Sequence, residues 1–114
     1  MKSALSKLLQ PQIAALRILV VDDDQHMRKV VRTILAAIGV KTVYDASDGA
    51  AGLEAVRKYN PDLVIVEVRG DNRVRGTDRH YQNLYIMFLY FRDGLVYRWR
   101  EFSNPDVYRS AVTA

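Results

Sequence analysis

Apolar and polar positions follow two different patterns along this chain, and the change falls within Pro61-Asp-Leu-Val-Ile-Val-Glu-Val-Arg-Gly70. Upstream, apolar residues recur at helical spacing between short apolar runs. Leu5, Leu8, Leu9, Ile13 and Leu16 predict a short amphipathic helix over 2–16, perturbed at Pro11 and packed onto other apolar surface. Arg17 to Val21 predicts a buried strand that runs into Asp22-Asp23-Asp24. Met27, Val30, Val31, Ile34, Leu35 and Ile38 lie on one helical stripe, with Asp24 as N-cap and Gly39 as the stop. Val40 to Tyr44 reads as a second strand, and Ala46-Ser-Asp-Gly49 as the turn into a helix over 50–59 with Leu53 and Val56 inward. Asn60-Pro61 ends that helix. Leu63 to Val66, with Val68, surround the lone carboxylate of Glu67, a pattern that suits a central strand over 62–69 covered on both faces. The order β-α-β-α-β implies right-handed crossovers and a parallel sheet, strand order 2-1-3, with helices on both faces.

Downstream the pattern is that of antiparallel strands. Gly70-Asp-Asn72 and Gly76-Thr-Asp78 are turn signals. Tyr81 to Phe91 predicts a long strand with Tyr81, Tyr85, Met87, Leu89 and Phe91 on one face and Leu84, Ile86, Phe88 and Tyr90 on the other. Both faces are apolar, so both call for cover. Arg92-Asp-Gly94 predicts a hairpin turn. Leu95, Tyr97, Trp99 and Glu101 then share one strand face, and Arg98 and Arg100 the other. Asn104-Pro105 opens a predicted terminal helix, Asp106 to Val112. The fold class is therefore α/β: a single mixed sheet, its parallel half continued by two antiparallel strands, with helices on both faces.

Composition narrows the function classes. A chain of 114 residues suits one domain, and 49% hydrophobic with 26% charged residues is ordinary for a globular protein. The absence of cysteine excludes disulfides and thiolate metal sites. No membrane segment is expected, since the longest apolar run, Leu84 to Phe91, is far short of the ~20 residues a spanning helix needs. With no signal-peptide pattern the expected location is cytoplasmic. A net charge of +4 supports solubility more than nucleic-acid binding, so no nucleic-acid partner is expected. Arg69, Arg73, Arg75 and Arg79 gather around the mid-chain turns, but Asp71 and Asp78 interrupt them, as in a solvated loop.

Asp22 and Asp23 end the first strand, and Glu67 lies near the end of the third, beside it. Carboxylates gathered at the carboxyl ends of neighbouring parallel strands repel one another unless a cation or proton intervenes, and magnesium is the natural oxygen-preferring candidate. The competing reading has Asp23 or Asp24 capping the helix and Asp22 solvated. Ile18-Leu-Val-Val-Asp-Asp-Asp24, Met27-Arg28, Ala46-Ser-Asp-Gly49, Glu54-Ala55 and Pro61-Asp-Leu-Val-Ile-Val66 resemble the receiver domain of two-component response regulators. The resemblance covers about 17–66 and implies that Asp22 and Asp23 bind magnesium and that Glu67 holds the phosphoacceptor position. Three departures put phosphotransfer in doubt. The acceptor is a glutamate, with one methylene more than the family's aspartate. Val68-Arg-Gly70 replaces the family's Met-Pro segment, and the Ser/Thr and lysine that read out the phosphate in later strands have no counterpart. Glu67 is therefore not expected to be phosphorylated.

A second resemblance covers about 64–114. Glu67-Val-Arg-Gly-Asp71, Gly76, Tyr81-Gln-Asn-Leu-Tyr85, Phe91-Arg-Asp-Gly94 and Tyr97-Arg-Trp-Arg-Glu-Phe102 with Pro105 resemble the SnoaL-like group of the cystatin-like cone fold, which includes polyketide cyclases and ketosteroid isomerases. It implies an apolar pocket, often a dimer face, and a buried acid or base at Glu101. The alternative for Glu101 is an ion pair with a neighbouring arginine. Asn104 stands where the family commonly has an aspartate, and the helices that close its pocket are missing.

Together these readings predict one hybrid domain, a receiver-like half 1–66 and a SnoaL-like half 67–114 spliced within the shared strand. The expected function is that of a recombined or engineered scaffold with no intact catalytic or phosphotransfer site, and not of an enzyme. The alternatives are a receiver-like partner-binding module without phosphotransfer, or a SnoaL-like small-molecule pocket protein. No cofactor is required, and magnesium at Asp22 and Asp23 is the one candidate. The two-sided apolar strand predicts a homodimer through the C-terminal strands.

Overall fold

The structure, a computed structural model, describes residues 4–73, 75–76 and 80–103, and of 4–9, 69–73 and 80–83 the backbone alone. The predicted terminal helix and the Thr77-Asp78 part of the second turn signal lie outside the described residues. Among the described residues three helices and five strands follow in the order α1 (Ala4–Ala15), β1 (Arg17–Val21), α2 (Gln25–Ala37), β2 (Thr42–Ala46), α3 (Gly49–Tyr59), β3 (Leu63–Arg73), β4 (His80–Arg92) and β5 (Leu95–Phe102). One sheet of order β2-β1-β3-β4-β5 contains every strand, with β3 at its centre. The β1/β2 and β1/β3 pairs are parallel, and the β3/β4 and β4/β5 pairs antiparallel. This is the mixed sheet that the two apolar patterns predict.

Helix boundaries follow local chemistry. Asp24 caps α2, its side chain accepting from the His26 and Met27 amides, and Asp48 caps α3 by accepting from Ala51. The C-terminus of α2 closes as a Schellman turn. Gly39, at φ +106°, donates to Ala36 and Val40 donates to Leu35, while Leu35 and Val40 bury together. That turn holds Val40 against the helix end, so β2 begins two residues later than the apolar run suggests and extends to Ala46. Helix α1 continues through Pro11 without ending there.

The core divides between the two faces of β1. On one face Ile18 and Val20 pack with Leu35 and Val40, joined by Ile13 and Leu16 from the α1 end and by Leu63 and Ile65. On the other, Leu19 and Val21 pack with Ala46, Ala55 and Val64, and Leu89 and Phe91 lean onto this cluster. Tyr44 and Tyr59 stack with centroids 4.0 Å apart, tying α3 to β2. The inward positions differ from the periodicity in two places. Leu53 is 62% exposed, so α3 is held by Ala55 and Val56. On α2 only Leu35 is buried and Val31 half-buried, while Met27, Val30, Ile34 and Ile38 lie open to solvent. The stripe is wider than the surface available to cover it.

The strand-rich half departs further from expectation. Gly70-Asp71-Asn72 form no turn; they lie inside β3, paired with Asn83, Gln82 and Tyr81. The long ladder with β4 satisfies their backbone groups and carries β3 past the predicted end at 69. The β4–β5 turn is the two-residue loop Asp93-Gly94, both at positive φ (55° and 76°), as the twist of a tight hairpin requires. Between Tyr90↔Arg98 and Phe91↔Val96 the register slips, leaving Tyr97 as the extra residue of a bulge. Leu95 therefore faces the side of Arg98 and Arg100, and Val96 takes the side of Trp99 and Glu101. Every residue of β5 is exposed, as are Leu84 and Ile86 of β4, whereas Met87 to Phe91 are half-buried, so among the described residues the two apolar faces of β4 are covered only in part.

Candidate functional site

The carboxylates at the carboxyl ends of β1 and β3 are held differently. Asp22 is 3% exposed. Its amide donates to Ala46 of β2 at 3.1 Å, and its side-chain Oδ1 accepts from the Asp24 amide at 2.9 Å. Arg28, one turn into α2, donates from Nη1 to the Asp22 carbonyl at 2.6 Å and places Nε 3.7 Å from Asp45 Oδ2. Arg32 reaches the same Asp45 oxygen at 3.3 Å. The helix that Asp24 starts thus carries the cation that fastens the end of β1. The solvated Asp22 of the competing reading is not what forms, whereas Asp24 does cap α2. Asp23 is exposed.

Glu67 follows Val66, which pairs with Val21, so Glu67 and Asp22 occupy adjacent strands one residue past their last paired position. Glu67 is half-buried and lies opposite Ile86 of β4, which in turn lies opposite Phe102 of β5. An acidic strand end meets an apolar wall. The donor oxygens present suit a hard cation, and Asp22 and Asp23 are the pair that would hold one. Among the described residues no three His, Asp or Glu side chains group as a metal site, so Glu67 does not complete a three-carboxylate centre with them.

Glu101 lies on β5 opposite Met87, on the face of Val96 and Trp99, and it is exposed. No enclosing wall desolvates it, because the bulge takes Tyr97 to the other face. Arg98 and Arg100 point to that other face too, so neither supplies the alternative ion pair among the described residues. A cleft of about 320 Å³ opens at the opposite end of the sheet from Asp22, lined by Asn60, Pro61, Asp62, Phe91, Arg92, Asp93 and Gly94. Glu101 has no part in it. Arg28 is the residue whose role sequence reasoning missed. Its place beside Met27 was visible, but its reach to Asp22 and Asp45 depends on how α2 packs.

Residues 18–78 match the response regulator receiver domain model, a span that includes the Asp22–Asp24 turn, both crossover helices and Glu67. The chain belongs to the receiver-domain family. The receiver match runs past the splice predicted at 64–67. Among curated relatives, the receiver domain is 40% identical over 62 residues to a protein-glutamate methylesterase/protein-glutamine glutaminase of Natronomonas pharaonis, covering 53% of this chain and 18% of that protein. It is 39% identical over 52 residues to chemotaxis protein CheY of Bacillus subtilis, 46% of this chain and 43% of that one. It is also 31% identical over 84 residues to transcriptional regulatory protein DegU of Brevibacillus brevis, 68% of this chain and 36% of that one. The chain spans less than half the length of these relatives. No solved structure matches this receiver domain.

Proposed function

We propose that this receiver domain is a signalling module that binds partners without passing on a phosphoryl group. The surroundings of Glu67 carry the reading. Transferring a phosphoryl group requires donors and cations aimed at the developing charge. The positions next to Glu67 in successive strands are instead Ile86 and Phe102. The extra methylene of glutamate also shifts the attacking oxygen away from where an aspartate would hold it. Asp22 and Asp23 would hold magnesium, with water completing its octahedral shell, and the ion would screen the charge at this end of the sheet. The test is intact-mass spectrometry after incubation with acetyl phosphate and magnesium. The expected result is an unchanged mass, and a phosphoryl adduct mapped to Glu67 would overturn the reading.

The antiparallel continuation favours a second reading, of origin. In it the strand-rich half 67–114 derives from a SnoaL-like fold and meets the receiver-like half 1–66 inside β3, giving one hybrid domain with no intact catalytic site. The unbroken β3–β4 register from Leu63↔Tyr90 to Arg73↔His80 supports a splice that costs no pairing. The receiver match as far as residue 78 weighs on the other side. A surviving SnoaL-like pocket would bind an apolar cyclic ligand. Titration with a steroid, read by Trp99 fluorescence, is expected to show no saturable change.

A second copy of the chain is the partner we propose for the C-terminal strands. Among the described residues, the side of β4 and β5 that bears Met87, Val96 and Trp99 carries Glu101 as its sole formal charge. Trp99 is 62% exposed there and Val96 49%. Two such faces brought together would remove that surface from water.

A further inference from the structure

We propose that the other side of β4 and β5, which faces the same way as α2, binds single-stranded nucleic acid. The register sorts the side chains. Phe88 lies opposite Arg100, Tyr90 opposite Arg98 and Arg92 opposite Leu95, and the bulge turns Tyr97 onto this same side. Each guanidinium lies over a ring: Arg92 4.3 Å from the Tyr97 centroid, Arg100 5.3 Å from Phe102, and Arg98 5.6 Å from Tyr90. Tyr90 and Tyr97 pair at 6.3 Å, and Phe88 and Phe102 meet edge-on at 5.7 Å. The three arginines are exposed, and none is paired with a carboxylate among the described residues. The nearest carboxylates by register are Glu67, one strand away, and Asp93 in the turn.

The pattern repeats along the strands. Arg100, Arg98 and Arg92 occupy successive same-side rows, and rows two residues apart lie roughly 6.8 Å from each other. A flexible polyanion laid along the β4–β5 hairpin would meet one guanidinium per row, Arg100 and Arg98 from β5 and Arg92 from β4. Guanidinium forks suit phosphate oxygens, which they bind in pairs. The rings make nucleic acid the favoured polyanion. An acidic peptide offers nothing flat to stack on Tyr90, Tyr97 and Phe102, whereas every base has a face that can. A duplex hides its bases, so the partner is single-stranded. The net charge of +4 understates this face, because Asp and Glu elsewhere in the chain offset arginines that are gathered here.

The test is fluorescence anisotropy of the whole chain with labelled oligo-dT of about twelve nucleotides. Saturable binding is expected at low salt, with log K falling against log salt at a slope of about −2, or about −0.7 for each of three phosphates. Arg98→Ala with Arg100→Ala is expected to weaken binding about tenfold or more and to bring the slope near −0.7. Phe102→Leu keeps the charge and is expected to cost about fivefold or more through lost stacking. Arg57→Ala removes an exposed arginine from α3, on the far side of the sheet, and is expected to change nothing. Thermal melts confirm that each variant folds, and Arg98→Gln with Arg100→Gln, which removes the charges but keeps the aliphatic stems, replaces the alanine pair if that pair does not fold, with the same loss of affinity and slope expected. No binding at low salt would overturn the proposal, as would indifference to the arginine substitutions. Equal binding by polyglutamate, by duplex DNA or by phosphatidylserine vesicles would also overturn it.

Discussion

At the level of single residues, the Asp22–Asp24 turn uses each carboxylate for a different task. Asp24 takes up orphan amides of α2, Asp22 is fastened by its own turn and by Arg28, and Asp23 is left to solvent. Asp24→Ala is expected to lower stability by about 1 kcal/mol through loss of the cap, measured by urea unfolding. Leu19, fully buried between β1 and α3, is expected to cost about 2–5 kcal/mol when cut to alanine, since the sheet leaves little room to collapse into the cavity.

At the level of elements, α2 contradicts its own periodicity. Six apolar residues share its stripe, yet β1 and β2 offer a surface narrow enough to bury only Leu35 and, in part, Val31. Ile34→Lys is therefore expected to change stability by no more than about 0.5 kcal/mol, while Leu35→Ala is expected to cost about 2–5 kcal/mol, a contrast a pair of thermal melts would reveal. In the β4–β5 hairpin, Gly94 sits at φ +76° with open space around it, so Gly94→Ala would meet backbone strain rather than a clash. The expected loss is about 1 kcal/mol, read from the same melts.

At the level of the whole molecule, the core is lopsided. Helices cover both faces of β1, while every residue of β5 is exposed. Among the described residues thirteen large apolar side chains are exposed and nine apolar ones are buried in the core, and the proposed pairing would cover part of that exposed surface. Light scattering over a concentration series is expected to show a dimer whose melting temperature rises with concentration. Trp99→Lys is expected to return it to a monomer without changing the receiver half. A wild-type monomer at every concentration would refute the proposed pairing.

The chain's own pattern determined the element order, the cap at Asp24, the turn at Ala46-Ser-Asp-Gly49, the stop at Gly39, the parallel 2-1-3 start and the antiparallel finish. Each rests on local spacing or on one residue's backbone chemistry, which neighbours in sequence suffice to define. The receiver resemblance was likewise legible, because its motif residues are contiguous at the ends of strands. Long-range packing decided the rest. Whether Leu53 or Ile34 turns inward depends on how much sheet lies beneath its helix. The single bulge at Tyr97 settled which side of β5 each later residue occupies, and no local periodicity announces a register slip. It removed Tyr97 from beside Glu101 and set it with the arginines, separating an apolar face from a cationic, aromatic one. Burial and pairing between distant segments are properties of the assembled sheet, and only the tertiary structure could supply them.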